Sequence, residues 1–255
     1  MKNYRIGCSG YFYKQWKGGF YPSDLPESQW LKYYCEHFNS TEITSTFYKF
    51  PDLHNLSRWR NKTPTDFMFS IKVPQFLTHV TKLTNPDLIN KFYHIAERAL
   101  KEKLKCVVFQ MSPDLPYSPR FLEHIINNLN YDFTNVIEFR HNSWWNEEVY
   151  SAFKSKNIVF GSISYPGLPE DFIATSSTIY LKLHGIEELY HSTYSLLEID
   201  SWYKKIKSQK FKDFFIYFNN TWEMGAVYNA FEMKMALMAK PDFNGKSFER
   251  VYTSR

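Results

Sequence analysis

Cysteine is scarce, and the three present are scattered: Cys8, Cys35 and Cys106 form neither a CxxC pair nor a cluster with histidine. A structural zinc site and a disulfide framework are therefore not expected, and a reducing, cytoplasmic setting fits this usage. The segment Met1-Lys2-Asn3-Tyr4-Arg5 has no apolar h-region, so no secretory signal is expected. No apolar run approaches the roughly 18 residues needed to cross a bilayer, which argues against a membrane partner. There is no GxGxxG or GxxxxGK[ST] loop, so neither a dinucleotide cofactor nor a P-loop nucleotide is implied. No repeat, linker or low-complexity tract divides the 255 residues, and a single domain over 1–255 is expected.

What the chain has is aromatic and apolar side chains, 19% and 44% of residues, with a formal net charge of +5. That composition is globular. The mild positive balance is compatible with an anionic ligand or nucleic acid and also with simple solubilisation. Strand-like runs recur at Tyr4–Gly10, Ser40–Thr44, Phe67–Val73, Lys105–Met111, Asn135–His141, Ile158–Ser164, Thr178–His184 and Phe214–Asn220. Helical stripes lie between several of them. Trp30, Leu31, Tyr34, Cys35 and Phe38 form one, and Leu88, Ile89, Phe92, Ala96 and Ala99 another. Phe121, Leu122, Ile125, Ile126 and Leu129 form a third behind the start signal Ser118-Pro119, and Ala226, Ala230, Met233 and Leu237 suit a closing helix. Eight strands alternating with helices predict an α/β fold, a (β/α)8 TIM barrel. An open doubly wound sheet is the alternative. The segment 165–177, with Pro166, Gly167 and Pro169, is too short and broken for a full helix, so strands six and seven should be joined irregularly.

Two runs, Val136–His141 and Ile179–Gly185, alternate large apolar with ionisable residues. Period two puts Glu138 and Arg140 on one face, and Lys182 and His184 on one face. Turning the bulkiest apolar residues of each strand outward, against helices, leaves polar residues inward at the C-terminal ends, where barrel sites are built. This phasing turns inward Gly7 and Ser9, Glu42 and Thr44, Ser70 and Lys72, Cys106, Val108 and Gln110, then Glu138 and Arg140. It turns inward also Tyr180, Lys182 and His184, and Phe215, Tyr217 and Asn219. On the sixth strand Ser162 and Ser164 share a face, the serine end being taken as inward. Carboxylates Glu42 and Glu138 would face the cations Lys72, Arg140 and Lys182.

A surplus of cations in a concave site favours a phosphate- or carboxylate-bearing small molecule, or a nucleotide-like one. Arg140, Lys72 and Lys182 would clamp the anion. Glu138 or Glu42 would act as base and His184 as acid or hydrogen-bond donor, giving Glu42, Glu138 and His184 as the catalytic candidates. Lys182 is a Schiff-base candidate if neighbouring cations lower its pKa. The alternative reading of the same polar set is a salt-bridge and hydrogen-bond network that fills the barrel top. Glu42, Glu138, His184 and His79 could ligate a metal, but the accompanying cations would repel it, so neither metal nor cofactor is expected. Loop aromatics Tyr11, Phe12, Tyr13, Trp16, Phe20, Tyr21, Phe47, Tyr48, Trp144, Trp145 and Trp222 either stack on a ligand or pack the loops down.

The runs IGCSGYFYKQWKGGFYP, STEITSTFYKFP, TPTDFMFSIKVPQFLTH, VVFQMSPD, VIEFRHNSWW, YLKLHG and IYFNNTWEMGAVYNA occur in this order. Together they resemble the YecE-like family, a bacterial and archaeal set whose domain is of unknown function. The resemblance covers nearly the whole chain and implies a TIM barrel without an established activity. The family's barrel resembles those of sugar isomerases and of the apurinic endonuclease group, which carries little functional weight. Glu42, Tyr48, Lys72, His79, Glu138, Arg140, His184, Gly185, Asn219 and Asn220 stand as the family pattern has them. Thr44, Lys182 and Thr221 stand where asparagine, arginine and often histidine are expected, so Lys182 keeps charge but loses bidentate geometry. The ligand-contact candidates are thus Ser9, Tyr11, Trp16, Tyr48, Lys72, His79, Gln110, Arg140, Lys182, Asn219 and Asn220. Whether the protein is an enzyme is left open. The alternatives are a non-catalytic nucleic-acid binder and a metal-dependent phosphodiesterase or isomerase-like enzyme.

Overall fold

A computed structural model describes residues 3–238. Its eight strands are β1 (Asn3–Cys8), β2 (Ser40–Ile43), β3 (Met68–Lys72), β4 (Leu104–Gln110), β5 (Thr134–Glu138), β6 (Val159–Ser164), β7 (Thr178–Leu183) and β8 (Asp213–Phe218). All pairings are parallel, in the order β1-β8-β7-β6-β5-β4-β3-β2. A single bridge between Ser9 and Glu42 joins the two edges, so the barrel is nearly closed. That seam explains Gly7: any Cβ there would collide with the Ser40 carbonyl and crowd the Tyr34 hydroxyl.

The helices are α1 (Trp30–His37), a single turn α2 (Ser45–Tyr48), α3 (Leu53–Asn61), α4 (Pro86–Leu100), α5 (Pro119–Asn127), α6 (Glu147–Lys156), α7 (Leu196–Lys207) and α8 (Gly225–Met238). The four helices expected from apolar stripes are present. α3, α6 and α7, which none of those stripes marks, carry start signals: Asp52, Asn146 and Ser195 each accept a hydrogen bond from a first-turn backbone N–H. Residues 165–177 contain no helix.

Pleat alternation divides the apolar residues into two sets. Cys106, Val108, Val136, Val159, Tyr180, Phe215 and Tyr217 fill the barrel interior. Ile6, Ile43, Phe69, Ile71, Val107, Phe109, Ile137, Phe160, Leu181, Phe214 and Ile216 face outward into the core beneath the helices. This is the phase expected on seven strands. The sixth differs. Gly161 is in register with Tyr180 and Ile163 with Lys182, so these face inward, while Ser162 and Ser164 point out with Leu181 and Leu183. Ser162 Oγ accepts from Ile173 N and Ser164 Oγ donates to Glu170, both in the irregular segment. No helix covers this stretch of β6, so its outer face satisfies loop polar groups instead of packing apolar residues.

Candidate functional site

The ends of β2, β3, β5 and β7 bring six ionisable side chains, Glu42, Lys72, Glu138, Arg140, Lys182 and His184, into one buried cluster, with Gln110 from β4 beside them. Lys182 Nζ lies 2.7 Å from Glu42 Oε1 and 3.6 Å from Glu138 Oε2. Arg140, just past β5, donates through Nη2 to Glu138 Oε1. Glu42 also accepts from the Tyr180 hydroxyl deeper in the barrel. Both carboxylates are therefore engaged by cations. Burial alone would push the Glu138 carboxyl up, but Arg140 and Lys182 outweigh it and hold it well below the usual carboxylate range. The same balance raises Lys182: desolvation opposes the ammonium form, and the two glutamates more than compensate.

Lys72 is different. It is only 8% exposed, and among the described residues it makes no ion pair. Its Nζ donates to Gln110 Oε1 at 2.6 Å and lies 3.7 Å from the centre of the Phe47 ring. Burial, with Lys182 next in importance, brings its pKa down to about 7, against the opposing pull of Glu138 and Glu42. Arg140 Nη2 approaches the same Gln110 oxygen at 3.4 Å. The guanidinium stacks over Tyr165 at 4.3 Å, its Nε is buried without a partner, and Nη1 makes no hydrogen bond among the described residues.

His184 Nε2 lies 3.0 Å from Arg140 Nη2, and its Nδ1 is 2.8 Å from the Asn219 side-chain amide. A guanidinium can only donate, so Nε2 accepts and the proton of the neutral ring sits on Nδ1, which donates to Asn219 once that amide is turned to present Oδ1 in place of Nδ2. Burial and Arg140 hold this imidazole well below its ordinary value. His184 thus accepts a hydrogen bond from Arg140, and its surroundings disfavour the charged ring.

A cleft of about 730 Å³ opens over the cluster, lined by Lys72, Lys182, Glu42, Thr44, Asn219 and an aromatic wall that includes Tyr11 and Tyr48. Gln110, Glu138, Arg140 and His184 stand behind the lining residues, in contact with Lys72, Lys182 and Asn219. Ser9 is buried at the seam, its Oγ unpartnered. His79 packs its ring edge-on to Phe47 and takes a hydrogen bond with Thr78; burial, Lys72 and Arg140 lower its pKa.

Two candidates lie elsewhere. Trp16 is fully buried among Tyr13, Phe20 and Tyr21, with Tyr21 stacked on Trp30 at 4.6 Å, so this end of the first loop is a subsidiary core. Asn220 is buried and its Nδ2 donates to Ser192 O and Asn229 Oδ1, tying the β8 exit to α8 and the preceding loop. Sequence reasoning missed Tyr165 and Tyr190, which approach Arg140 and His184 from segments with no strand period to phase them. Among the described residues no group of three or more His, Cys, Asp or Glu is placed to hold a metal ion. None of their helices is long and apolar enough to cross a membrane.

Comparison with known proteins places these features in a wider set. The family model described as "Protein of unknown function DUF72" matches residues 5–249. The chain is 24% identical over 253 residues to the UPF0759 protein YunF of Bacillus subtilis (strain 168), covering 84% of this chain and 88% of the relative. It is 31% identical over 117 residues to the UPF0759 protein YecE of Escherichia coli (strain K12), which is 44% of this chain and 41% of the relative. A crystal structure of the DUF72 family protein TM1631 from Thermotoga maritima MSB8 is similar with a TM-score of 0.85 at 28% identity, covering 93% of this chain and 100% of that one. The DUF72 family protein EF0366 from Enterococcus faecalis V583, at 19% identity and a TM-score of 0.78, covers 94% and 99% and speaks to the fold alone.

Proposed function

The chain belongs to the DUF72 family of proteins of unknown function, and from that premise we propose that its barrel mouth binds a small phosphate- or carboxylate-bearing ligand and performs acid–base chemistry on it. One observation carries this reading: Lys72 and Arg140 converge on a single neutral oxygen, Gln110 Oε1. A structural network places a carboxylate between two cations, as Glu138 lies between Arg140 and Lys182, but none lies between Arg140 and Lys72 among the described residues. Here the two glutamates are engaged by Arg140 and Lys182, and the remaining cation faces the cleft. An acid group entering beside Lys72 supplies the missing charge, in surroundings where water competes poorly. Arg140, behind the lining residues, adds positive charge. The proton-transfer role falls to Lys72, whose pKa of about 7 suits exchange near neutrality. Glu138 is too acidic for a base, and His184 is neutral and engaged at both nitrogens. These two position Arg140.

Calorimetric titration with inorganic sulfate, an anion that does not titrate in this range, tests the reading. The ammonium form of Lys72 attracts the anion more strongly than the neutral amine, so affinity should be highest below pH 7 and fall as pH rises through it. Lys72→Met should abolish the binding. Absence of binding, a flat pH profile, or binding unaffected by Lys72→Met overturns it.

Exposed aromatics on the same rim, Phe12 at 50%, Tyr48 at 82% and Trp222 at 56%, favour a second reading. In it the mouth takes a single nucleic-acid strand whose bases stack on these rings. Binding of a labelled oligonucleotide should then weaken steeply with salt. A flat slope, or no binding, excludes it.

A further inference from the structure

We propose that Lys72 is a covalent nucleophile, and that the cleft takes carbonyl compounds carrying an acid group next to the carbonyl, as in small α-keto and α-aldehyde acids. The inference rests on the anion reading above and names the substrate class of the same site.

An imine-forming lysine needs an amine that is neutral, reachable from a cavity and not locked by a carboxylate. The cleft holds two lysines, and they are opposites. Lys182 is sealed at 1% exposure between Glu42 and Glu138, which fix it as an ammonium. Lys72 lines the same cleft, hydrogen-bonds a neutral amide, and has no carboxylate within ion-pair distance among the described residues. The charged groups around it come from every neighbouring wall: Glu42 from β2, His79 from the loop after β3, Glu138 and Arg140 from β5 and its exit, Lys182 and His184 from β7. Burial and the cations outweigh the glutamates in this set, and the Phe47 face, which favours the ammonium, does not restore the ordinary value of the amine.

The acid-group requirement follows from Arg140. It stands just behind the cleft wall and approaches the same Gln110 oxygen as the Lys72 amine, so its positive charge favours a carboxylate beside the carbonyl carbon that meets Nζ. In the reaction the Nζ lone pair bonds to the carbonyl carbon and the C=O π pair moves to oxygen, which takes a proton from cleft water. The amine releases one proton to water. The hydroxyl takes a second proton from water, the nitrogen pair expels it as water, and the resulting C=N nitrogen returns its remaining proton to water. The balance is amine plus carbonyl giving imine plus water, with no oxidant or reductant.

The test uses the whole chain with glyoxylate or pyruvate at pH 7, cyanoborohydride to reduce any imine, and peptide mapping by mass spectrometry. Surface lysines with ordinary pKa values near 10.4 are almost wholly protonated there. The reduced adduct should appear on Lys72 at least about tenfold faster than on any other lysine, a fraction of the thousandfold advantage in neutral amine that the shift provides. Inorganic sulfate should slow Lys72 labelling alone. No adduct on Lys72, or labelling spread evenly over the lysines, overturns the inference. If sulfate binds in the calorimeter and no adduct forms, the covalent step falls and the anion site stands. If sulfate does not bind either, both fall.

Discussion

Lys72 and Lys182 are the same residue type, on inward positions near the ends of two strands, and their surroundings give them opposite properties. Lys72 has a folded pKa of about 7 against roughly 10.4 in an unfolded chain. Between those values the unfolded state holds a proton that the folded state has lost, so this group makes stability rise with pH across that window. Below pH 7 the full cost of burying an ammonium is present. Lys72→Met should therefore raise stability at pH 6 by on the order of 2 kcal/mol, with the gain gone near pH 10, read from urea unfolding across pH. Glu138→Gln acts the other way. It leaves Arg140 and Lys182 short of a counter-charge in the interior, and should cost about 3–5 kcal/mol at pH 7 in the same assay. The alternation of Glu138 with Arg140 and of Lys182 with His184 was readable as a shared face because period two is local. Which carboxylate would take which cation was not, since the partners of Lys182 lie 140 and 44 residues away along the chain, on strands whose relative heights no local pattern specifies.

At the level of single elements, strands with alternating bulk were phased by the rule that large apolar residues turn toward helices. β6 shows the condition hidden in that rule. Its outward Ser162 and Ser164 meet the irregular segment 165–177, not a helix, and there a hydroxyl that partners Ile173 N or Glu170 serves better than a methyl group. Helix starts were partly legible for a similar reason. A cap is a contact over three residues, so Ser118 announced α5, and the α7 cap is as local, with Ile199, Trp202 and Ile206 in a stripe behind it. In α7 Ser195 and Glu198 form a reciprocal capping box. Ser195→Ala should cost about 1 kcal/mol in thermal unfolding and leave sulfate binding unchanged.

For the molecule as a whole, closure of the barrel is what gathers the site. Glu42 and Lys182 belong to strands separated in sheet order by four others one way and by β1 and β8 the other, so they meet only across the barrel axis. The seam between β1 and β2 is held by few backbone contacts and by Gly7, whose missing side chain admits the Ser40 carbonyl. Gly7→Val should prevent that approach, costing more than about 3 kcal/mol, and any folded fraction should lose sulfate binding because Glu42 and Lys182 no longer register. Circular dichroism melts and calorimetry on the same sample separate the two effects. The sequence by itself determined the strands, their number, and for seven of the eight which side chains face inward, because pleat, period and apolar bulk act over a few neighbouring residues. Only the tertiary structure decided that of two lysines, alike in sequence, one is ion-paired and the other makes no ion pair among the described residues and has its charged form disfavoured. Charge and protonation depend on distances across the barrel, and those exist only once eight strands have closed.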